Sequence, residues 1–332
     1  MSILCDGGQE LGFGHITRCI SIAQAFLKHG YKSEFIVNGD ETIGSVLAEY
    51  TLHDWQNDNR LLEKIKYSSI LLIDSMFVSE EKLLELESSN IPILFIDDEK
   101  QMNALEKGFV IDWTVMSEKR WSLLEHKEHV TYLLGSNFTP LRPLFSKAKK
   151  TIIKERIQSV MITFGGSDIR NLTPKILEHL TQNFPDITKN VVIGPGYKNV
   201  QVLETLKDSN TNLLFHVDTQ KMISLMQNSD IAIASGGQTL YELSFIGTPT
   251  IAVLVVKNAK DDTEGWDKIG SVKNIGWYED PHLLENLNDT LVALEKKESR
   301  VKMQESAKNM IRNDGASYLV DTILKTLARS IN

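Results

Sequence analysis

A glycine-rich segment near the start of the chain carries the first residues suited to chemistry. The segment reads Asp6-Gly7-Gly8-Gln9-Glu10-Leu11-Gly12-Phe13-Gly14-His15 and lies between an apolar run and an amphipathic one. Glycines allow a ligand to approach free backbone N–H groups, so Asp6, Gly12 and Gly14 are predicted to contact a ligand. A helix N-terminus disfavours imidazolium, so His15 is expected to be neutral and able to accept a proton near pH 7. His15 is therefore a candidate general base acting on water, and the alternative is a histidine that caps the loop or hydrogen-bonds a carboxylate.

Two further glycine turns occur in the second half of the chain. Gly165-Gly166-Ser167-Asp168 and Ser235-Gly236-Gly237-Gln238-Thr239 each follow an apolar run and precede a helical segment. Small residues, unpaired N–H groups and a helix dipole together suit a diphosphate. Two such turns in one domain favour a nucleotide site, although a single glycine-rich turn is often only a packing device. Neither the G-x-G-x-x-G fingerprint nor a G-x-x-x-x-G-K-[ST] phosphate loop is present.

Other polar residues allow more than one interpretation. Glu242, one turn into the helix after Ser235, is placed to bind a ribose diol, and its alternative is an exposed helix carboxylate. Arg170 and Asn171 are candidates to cap the helix that follows Asp168. The acidic residues at two strand ends are potential metal ligands but are more typical of solvated strand ends: Asp74, Asp97, Asp98 and Glu99. No cysteine–histidine spacing indicates zinc, so neither a metal nor a cofactor is predicted.

The elements that position these residues follow a repeated strand–helix rhythm. Strands are predicted at 2–5, 33–38, 69–74, 93–97, 159–164, 190–193, 212–217, 231–234 and 250–256, and helices at 15–29, 79–89, 172–184, 220–228 and 238–246. This pattern indicates α/β architecture, with two doubly wound, Rossmann-like domains facing a cleft that holds the ligand. The predicted divisions are a first domain at 1–147, a basic linker at 148–157, a second domain at 158–280 and charged C-terminal helices at 281–332.

The composition excludes several other classes of protein. The 332 residues are 42% hydrophobic and 24% charged, and the net charge is −8. An acidic chain has no overall electrostatic reason to bind nucleic acid or an anionic membrane. No apolar run is long enough for a membrane helix, and the N-terminus lacks a signal-peptide pattern, so a cytoplasmic location is expected, with Cys5 and Cys19 reduced. The oligomeric state is not predicted.

These motifs together resemble the nucleotide-sugar hydrolases of pseudaminic acid biosynthesis and the related spore coat polysaccharide proteins. The resemblance covers most of residues 1–275. Its motifs are DGGQELGFGHITR at 6–18, FIDDE at 95–99, LRP at 141–143, GGSDIRN at 165–171, SGGQTLYE at 235–242 and VKN at 256–258. The pairing of GFGH with GGSDIRN is what makes it specific.

The resemblance implies a GT-B-like fold and the metal-independent hydrolysis of a UDP-linked diacetamido-trideoxy sugar, with inversion at C1. His15 matches the family's water-activating base, and Asn258 matches an active-site asparagine near the sugar. The two glycine turns match the diphosphate-binding loops, with Asn171 closing the first motif, and Glu242 matches the ribose-binding position. Val217 matches the residue whose backbone meets uracil.

The chain departs from the family pattern at two positions. Leu4 stands where the family usually has an arginine, and Asp74-Ser75-Met76-Phe77 stands where a tyrosine often follows the strand end. Two alternatives to hydrolysis therefore remain. An inverting glycosyltransferase would use the same UDP site with an acceptor hydroxyl in place of water, and a non-catalytic protein would bind the nucleotide sugar without turnover.

Overall fold

The structure is a computed structural model that describes residues 1–98, 103–150 and 152–330. The chain forms two compact units. Unit 1 comprises Met1–Pro143 and Asp314–Asn332, and unit 2 comprises Leu144–Asn313. Each unit is built on one fully parallel sheet with helices, which confirms the predicted α/β class. None of the described helices is long and apolar enough to cross a membrane.

Unit 1 contains a seven-stranded sheet. Its strands are β1 (Ser2–Gly7), β2 (Glu34–Gly39), β3 (Thr51–Leu52), β4 (Leu71–Asp74), β5 (Ile93–Ile96), β6 (Gly108–Asp112) and β7 (Val130–Leu134). Its helices before the chain leaves the unit are α1 (Gly14–Leu27), α2 (Leu61–Ile65), α3 (Glu80–Glu87) and α4 (Ser117–Trp121). The strand order is β3-β2-β1-β4-β5-β6-β7. Every residue of β1 and β4 is buried, as expected for central strands covered on both faces.

Unit 2 repeats this plan with six strands. They are β8 (Ser159–Thr163), β9 (Thr188–Ile193), β10 (Thr211–Phe215), β11 (Ile231–Ser235), β12 (Thr250–Leu254) and β13 (Val272–Trp277), in the order β10-β9-β8-β11-β12-β13. The helices are α5 (Leu172–Asn183), α6 (Val200–Leu206), α7 (Thr219–Asn228), α8 (Gln238–Ile246), α9 (Lys260–Ile269), α10 (Leu283–Leu294) and α11 (Lys297–Ala307). A final helix, α12 (Gly315–Ser330), belongs to unit 1.

The direction of strand addition reverses once in each sheet. The reversal lies between β1 and β4 in unit 1 and between β8 and β11 in unit 2. Loops that leave the carboxyl ends of two such strands turn to opposite faces of the sheet and leave a crevice between them. The loop that precedes His15 follows β1, and the two glycine turns of unit 2 follow β8 and β11. The fold therefore places all three predicted loops at these crevices.

The basic stretch predicted as a linker is packed into unit 2. Ala148, Ile153 and Ile157 are buried, and the backbone N–H of Lys150 donates to the Ile246 carbonyl at 2.7 Å. The Lys150 ammonium donates to two carbonyls at the end of α7, and burial lowers its pKa to about 8. The division between the units falls at 143/144 instead of near 147.

The C-terminal helices predicted as one block at 281–332 are divided between the units. Helices α10 and α11 pack on unit 2, whereas α12 returns to unit 1. There the ring of Tyr318 stacks on Phe138 with centroids 5.2 Å apart, and the His29 ring contacts Asp321 at 3.0 Å. The side chains of Leu319, Val320 and Ile323 are fully buried. Helix α12 therefore supports α1, which carries His15 at its start.

Truncating the buried face of α12 should destabilise unit 1. We expect Leu319→Ala to lower the free energy of unfolding by about 2–5 kcal/mol, because a buried leucine leaves a cavity. Hydrogen exchange followed by mass spectrometry should show the loss of protection in α1. The control is Val292→Ala on α10, where the side chain is 59% exposed, with an expected change within about 0.5 kcal/mol. Equal effects of the two substitutions would contradict the packing of α12 in unit 1.

Candidate active site

The loop after β1 is held by its own backbone. Gly8 and Gly12 exchange hydrogen bonds, with N···O distances of 3.0 and 2.8 Å, and the N–H of Gln9 donates to Asp40 at 2.8 Å. The N–H groups of these three residues are therefore bonded within the protein, which differs from the expectation that the loop offers them to a ligand. Gly12 has φ of +80°, and Gly14 begins α1 with open space beside its Cα.

Asp6 is almost completely buried and joins two loops. Its carboxylate accepts hydrogen bonds from Ser75 Oγ at 2.5 Å, from Gln56 Nε2 at 3.0 Å and from the Met76 N–H at 3.2 Å. Burial raises the pKa of Asp6, and the hydrogen bond from Ser75 opposes that shift. The structure thus gives Asp6 an internal role, which is to tie the end of β1 to the loop after β4.

His15 forms a short hydrogen bond to a buried carboxylate. It is the second residue of α1, its side chain is 8% exposed, and its Nδ1 lies 2.6 Å from Asp74 Oδ1. A proton on Nδ1 satisfies this contact and assigns the acceptor role to Nε2. The carboxylate-bonded histidine that the sequence offered as an alternative is therefore present. The same bond also orients an imidazole for general-base chemistry, so the two interpretations are compatible.

Arg18 lies one helical turn after His15 and holds the same carboxylate. Its Nε and Nη2 donate to the two oxygens of Asp74, each at 2.6 Å, and Nη1 donates to Asp98 at 2.6 Å. The guanidinium carbon lies 5.0 Å from the ring centroid of Trp113. The thiol of Cys19 donates to Asp74 at 3.4 Å. The residues around His15 are thus a compact charged cluster at the carboxyl ends of β4 and β5.

Asp74 is ionised in this cluster. Burial acts to raise the pKa of Asp74, but the charge of Arg18 and the hydrogen bonds from Arg18 and His15 outweigh burial and lower the pKa overall. Burial also raises the pKa of the Cys19 thiol well above its usual value. Asp74, Asp97 and Asp98 are largely buried, so the prediction of solvated strand ends was wrong for them. Glu99 lies outside the described residues, among which no group of three His, Cys, Asp or Glu side chains is arranged to hold a metal.

The first glycine turn of unit 2 is braced by the turn after β9. Gly165 has φ of +78° and open space where a Cβ would be. The Gly166 carbonyl accepts a hydrogen bond from the N–H of Gly196 at 2.8 Å. A Cβ on Gly194 would lie 2.3 Å from the Gly166 oxygen, so glycine is required there for the close approach. Gly165, Gly166 and the partly exposed Ser167 therefore form a rigid turn at the end of β8.

This turn does not present a helix N-terminus, in contrast to the expectation from sequence. Helix α5 begins later, at Leu172, and the Asp168 carboxylate accepts its first N–H groups, from Leu172 at 2.9 Å and from Thr173 at 2.8 Å. Asp168 is thus the capping side chain instead of Arg170 or Asn171. Arg170 donates to the Val255 carbonyl, and Asn171 accepts from Asn199 at 3.1 Å in an exposed, left-handed conformation.

The second glycine turn of unit 2 does open a helix. Helix α8 begins at Gln238, directly after Gly237, and no side chain caps it. Gly237 has φ of +105° and open space around a Cβ position. A Cβ on Gly236 would lie 2.6 Å from Thr263 Oγ1 and 2.8 Å from Ala259 Cβ. The first N–H groups of α8 therefore have no capping side chain, and Gly236 allows the segment after β12 to pack against this turn.

The remaining predicted residues lie at the same edge of the unit 2 sheet. Ser235 is the buried last residue of β11, and Thr239 and Glu242 lie in the first turns of α8. Glu242 is only 5% exposed, so the exposed-carboxylate alternative was wrong. Asn258 is exposed in a short 3₁₀ turn after β12, next to Ala259. Val217 lies two residues past the end of β10, which is shorter than predicted.

The structure also identifies residues that sequence reasoning missed. Arg18 appeared only as part of the first motif, although its spacing of three residues from His15 places both on one face of α1. Asp74 and Asp98 were considered as metal ligands or as solvated strand ends, and not as partners of His15 or Arg18. The signal for Asp74 was its position at the end of the strand adjacent to β1, where parallel strands bring their carboxyl ends together.

Replacing Asp74 should have a pH-dependent effect on stability. We expect Asp74→Asn to lower the free energy of unfolding by about 3 kcal/mol at neutral pH, because Arg18 loses one of its two buried carboxylate partners. Since the folded-state pKa of Asp74 is lowered, its stabilisation is present above about pH 4 and is lost as pH falls below it. The gap between wild type and variant, measured by urea denaturation, should therefore shrink below about pH 4. The exposed control Asp186→Asn should show no such gap.

Comparison with known proteins gives relatives over most of the chain, although no family model matches it. A bifunctional Helicobacter pylori protein, named pseudaminic acid cytidylyltransferase and UDP-2,4-diacetamido-2,4,6-trideoxy-beta-L-altropyranose hydrolase, is 27% identical over 82% of this chain and 48% of its own length. The hydrolase of that name from Campylobacter jejuni is 24% identical over 79% of this chain and 93% of its own. The Bacillus subtilis spore coat polysaccharide biosynthesis protein SpsG is 24% identical over 83% of both chains.

The chain spans about half the length of two of its curated relatives, the Helicobacter pylori protein and an uncharacterised protein of Methanocaldococcus jannaschii that is 26% identical. Among solved structures, Acinetobacter baumannii MurG matches with a TM-score of 0.66 at 13% identity, over 98% of this chain and 99% of its own. A putative UDP-N-acetylglucosamine 2-epimerase from Listeria monocytogenes matches with a TM-score of 0.63 at 13% identity, over 99% and 97%. The predicted resemblance is confirmed: the chain is a distant relative of proteins named UDP-2,4-diacetamido-2,4,6-trideoxy-beta-L-altropyranose hydrolases and of SpsG, and it has a GT-B-like fold.

Proposed function

We propose that the protein hydrolyses a UDP-linked 2,4-diacetamido-2,4,6-trideoxyhexose, or a related UDP-amino sugar, to UDP and the free sugar. Water would attack C1 while the bond from C1 to the β-phosphate oxygen breaks, so the configuration at C1 inverts. The observation that carries the proposal is the 2.6 Å hydrogen bond between His15 Nδ1 and the buried carboxylate of Asp74. This bond gives the chain an oriented imidazole at the crevice of the unit 1 sheet.

His15 would act as the general base of this reaction. Its Nε2 takes the proton from the attacking water, and the Asp74 carboxylate stabilises the imidazolium that forms. The proton then passes from the imidazolium to solvent, which regenerates the neutral base for the next turnover. Asp74 is suited to this role because its lowered pKa keeps it ionised.

Unit 2 would bind the UDP leaving group. The uncapped N–H groups at the start of α8 carry partial positive charge, which suits a negatively charged diphosphate. They would also stabilise the negative charge that develops on the leaving oxygen in the transition state. The buried carboxylate of Glu242 would accept hydrogen bonds from the ribose diol, and the backbone of Val217 would meet uracil. Asn258 would lie near the sugar. The further residues proposed to contact the substrate are Gly12, Gly14, Gly165, Gly166, Ser167, Asn171, Ser235, Gly236, Gly237, Gln238 and Thr239.

The names of the relatives support the substrate class. Two curated relatives are named as hydrolases of a UDP-diacetamido-trideoxy sugar, and a solved structure with this fold, Anabaena HepE, is in complex with UDP-glucose. A second candidate is an inverting glycosyltransferase, which is favoured by structural neighbours such as the spinosyn rhamnosyltransferase SpnG, with a TM-score of 0.59. The two candidates differ in one measurable respect, which is whether UDP is released without an acceptor.

Release of UDP should require His15 but no acceptor. With a panel of UDP-amino sugars and a chelator present, we expect wild-type turnover, and His15→Gln should lower kcat by about 10²- to 10⁴-fold with little change in KM. Glutamine can still donate a hydrogen bond to Asp74, so the variant should remain folded. The control is His282→Gln, because the His282 side chain is 71% exposed, and it should retain full activity.

Two outcomes would contradict the hydrolase, and a third would contradict only the role of His15. UDP release only after an acceptor is added indicates the glycosyltransferase. UDP binding without release under either condition indicates a non-catalytic binding protein. Turnover that His15→Gln leaves unchanged removes His15 as the base.

Glu242 should determine recognition of the ribose. We expect Glu242→Gln to weaken UDP binding by about tenfold or more, because a charged hydrogen-bond acceptor is lost. The same variant should bind 2′-deoxy-UDP almost as well as UDP, whereas wild type prefers UDP. Isothermal titration calorimetry measures both affinities. Glu178→Gln on α5, where the side chain is exposed, should leave both unchanged, and a preference for UDP that survives in Glu242→Gln would exclude the ribose contact.

A further inference from the structure

The imidazole proposed as the base has a cation beside it. Arg18 Nη2 lies 3.1 Å from His15 Nδ1, and the Arg18 side chain is only 11% exposed. An ionised carboxylate can only accept, so the 2.6 Å contact with Asp74 Oδ1 requires a proton on His15 Nδ1, and Nδ1 and Nη2 are neighbouring donors that share this oxygen. The positive charge of a buried arginine opposes formation of the imidazolium, so the position of Arg18 beside the proposed base requires an explanation.

Arg18 connects the ends of two neighbouring strands. Its Nε and Nη2 donate hydrogen bonds to the two oxygens of Asp74, the last residue of β4. Its Nη1 and Nη2 donate to the two oxygens of Asp98, just beyond β5, at 2.6 and 3.3 Å. The face of Trp113 packs against the guanidinium. Two carboxylates and one ring thus restrict the position of the guanidinium, and the guanidinium in turn fixes the plane of the Asp74 carboxylate.

We propose that Arg18 is a positioning residue for His15: anchored by Asp98, it holds the Asp74 carboxylate in the orientation that keeps the proton of His15 on Nδ1 and the acceptor on Nε2. The inference rests on the proposed function for its consequence in catalysis, but the orientation itself is a property of the free protein. Arg18 does not contact the reacting atoms in this account, and it acts only through Asp74.

The charged groups that face His15 determine how substitutions at Arg18 should shift the titration midpoint of its imidazole. Asp74 favours the imidazolium, and Arg18 opposes it. Asp6 adds a weaker negative charge from β1, Asp98 neutralises part of the charge of Arg18, and the Cys19 thiol, whose pKa is raised, is uncharged. Removing the charge of Arg18 should therefore make the His15–Asp74 pair bind its proton more tightly. A lysine at position 18 keeps the positive charge but lacks the planar guanidinium, so it should only loosen the orientation of the Asp74 carboxylate.

The test is nuclear magnetic resonance of the intact protein carrying ring-labelled histidine. The chain has eight histidines, and the signal of His15 is identified by its absence from His15→Gln. In wild type we expect the Nδ1–H tautomer. In Arg18→Met the titration midpoint of His15 should rise by about one pH unit, and in Arg18→Lys the midpoint should stay while the tautomer becomes mixed. Asp98→Asn should change the tautomer less than Arg18→Lys does, and it keeps the proposal testable if Arg18→Met fails to fold.

The matched control is Arg120→Met. Arg120 also pairs with a buried carboxylate at the end of a unit 1 strand, Asp112, at 3.0 Å. Its loss should lower stability without moving the His15 signals. A purely structural role for Arg18 predicts the same result for Arg18→Lys and Asp98→Asn as for Arg120→Met, and that result overturns the proposal.

Kinetics separates this proposal from the proposed function. If wild type releases UDP, Arg18→Lys should lower kcat by about tenfold with KM nearly unchanged, and the acid limb of kcat/KM in Arg18→Met should move to higher pH with the His15 midpoint. If wild type releases no UDP but the Arg18 variants still change the His15 tautomer, the hydrolase fails and the positioning role stands. If wild type releases UDP at the full rate but the Arg18 variants leave the His15 signals unchanged, the positioning role fails and the hydrolase stands.

Discussion

The buried carboxylate of Asp74 is the group on which the organisation of unit 1 depends. An ionised carboxylate with no exposed surface is strongly unfavourable unless cations and donors surround it. Arg18 and His15 meet that requirement from a single turn of α1. They can do so only because β4 is adjacent to β1, so that α1 begins beside the end of β4. Helix α12 packs against α1, with side-chain contacts from Lys28 and His29 just beyond its last residue.

In unit 2 the groups that require partners are the N–H groups at two helix N-termini. Two helices follow the central strands β8 and β11, and both are expected to attract an anion at their N-termini. Helix α5 satisfies its first N–H groups with the Asp168 carboxylate of its own chain. Helix α8 has no capping side chain, and glycines precede it. Two turns that look alike in sequence therefore differ, because a carboxylate of the chain caps the helix after the first and no side chain caps the helix after the second.

Sequence reasoning predicted the sheets better than the connections. Central strands such as β4 and β11 are continuous apolar runs, so their positions were predicted to within about two residues. Strands β3, β6, β7 and β13 were missed. Strand β3 has only two residues, and the other three mix polar residues or glycine with the apolar ones. The assignment of α12 to unit 1 could not be predicted, since an amphipathic helix indicates that one face is buried but does not specify its partner.

The same limit applies to the candidate site. His15 and the turn at 235–237 could be found from residue type and spacing, whereas the pairing of Arg18 with Asp74 and Asp98 joins residues that are 56 and 80 positions apart. The role of Asp168 as a cap was missed because an aspartate after two glycines also suits a ligand loop. Side-chain contacts over such sequence distances depend on the strand order, which the sequence alone did not supply.

The two departures from the family pattern can now be placed. Leu4 is fully buried in the hydrophobic core of unit 1 with Ile36 and Ile73, and the positive charge next to His15 comes from Arg18. Met76 donates its backbone N–H to Asp6, and the neighbouring side chain of Phe77 is 52% exposed. The departures thus leave the imidazole, its carboxylate and the cation in place. Leu4 therefore presents neither charge nor surface to a ligand, whereas Phe77 exposes an apolar side chain in the loop after β4.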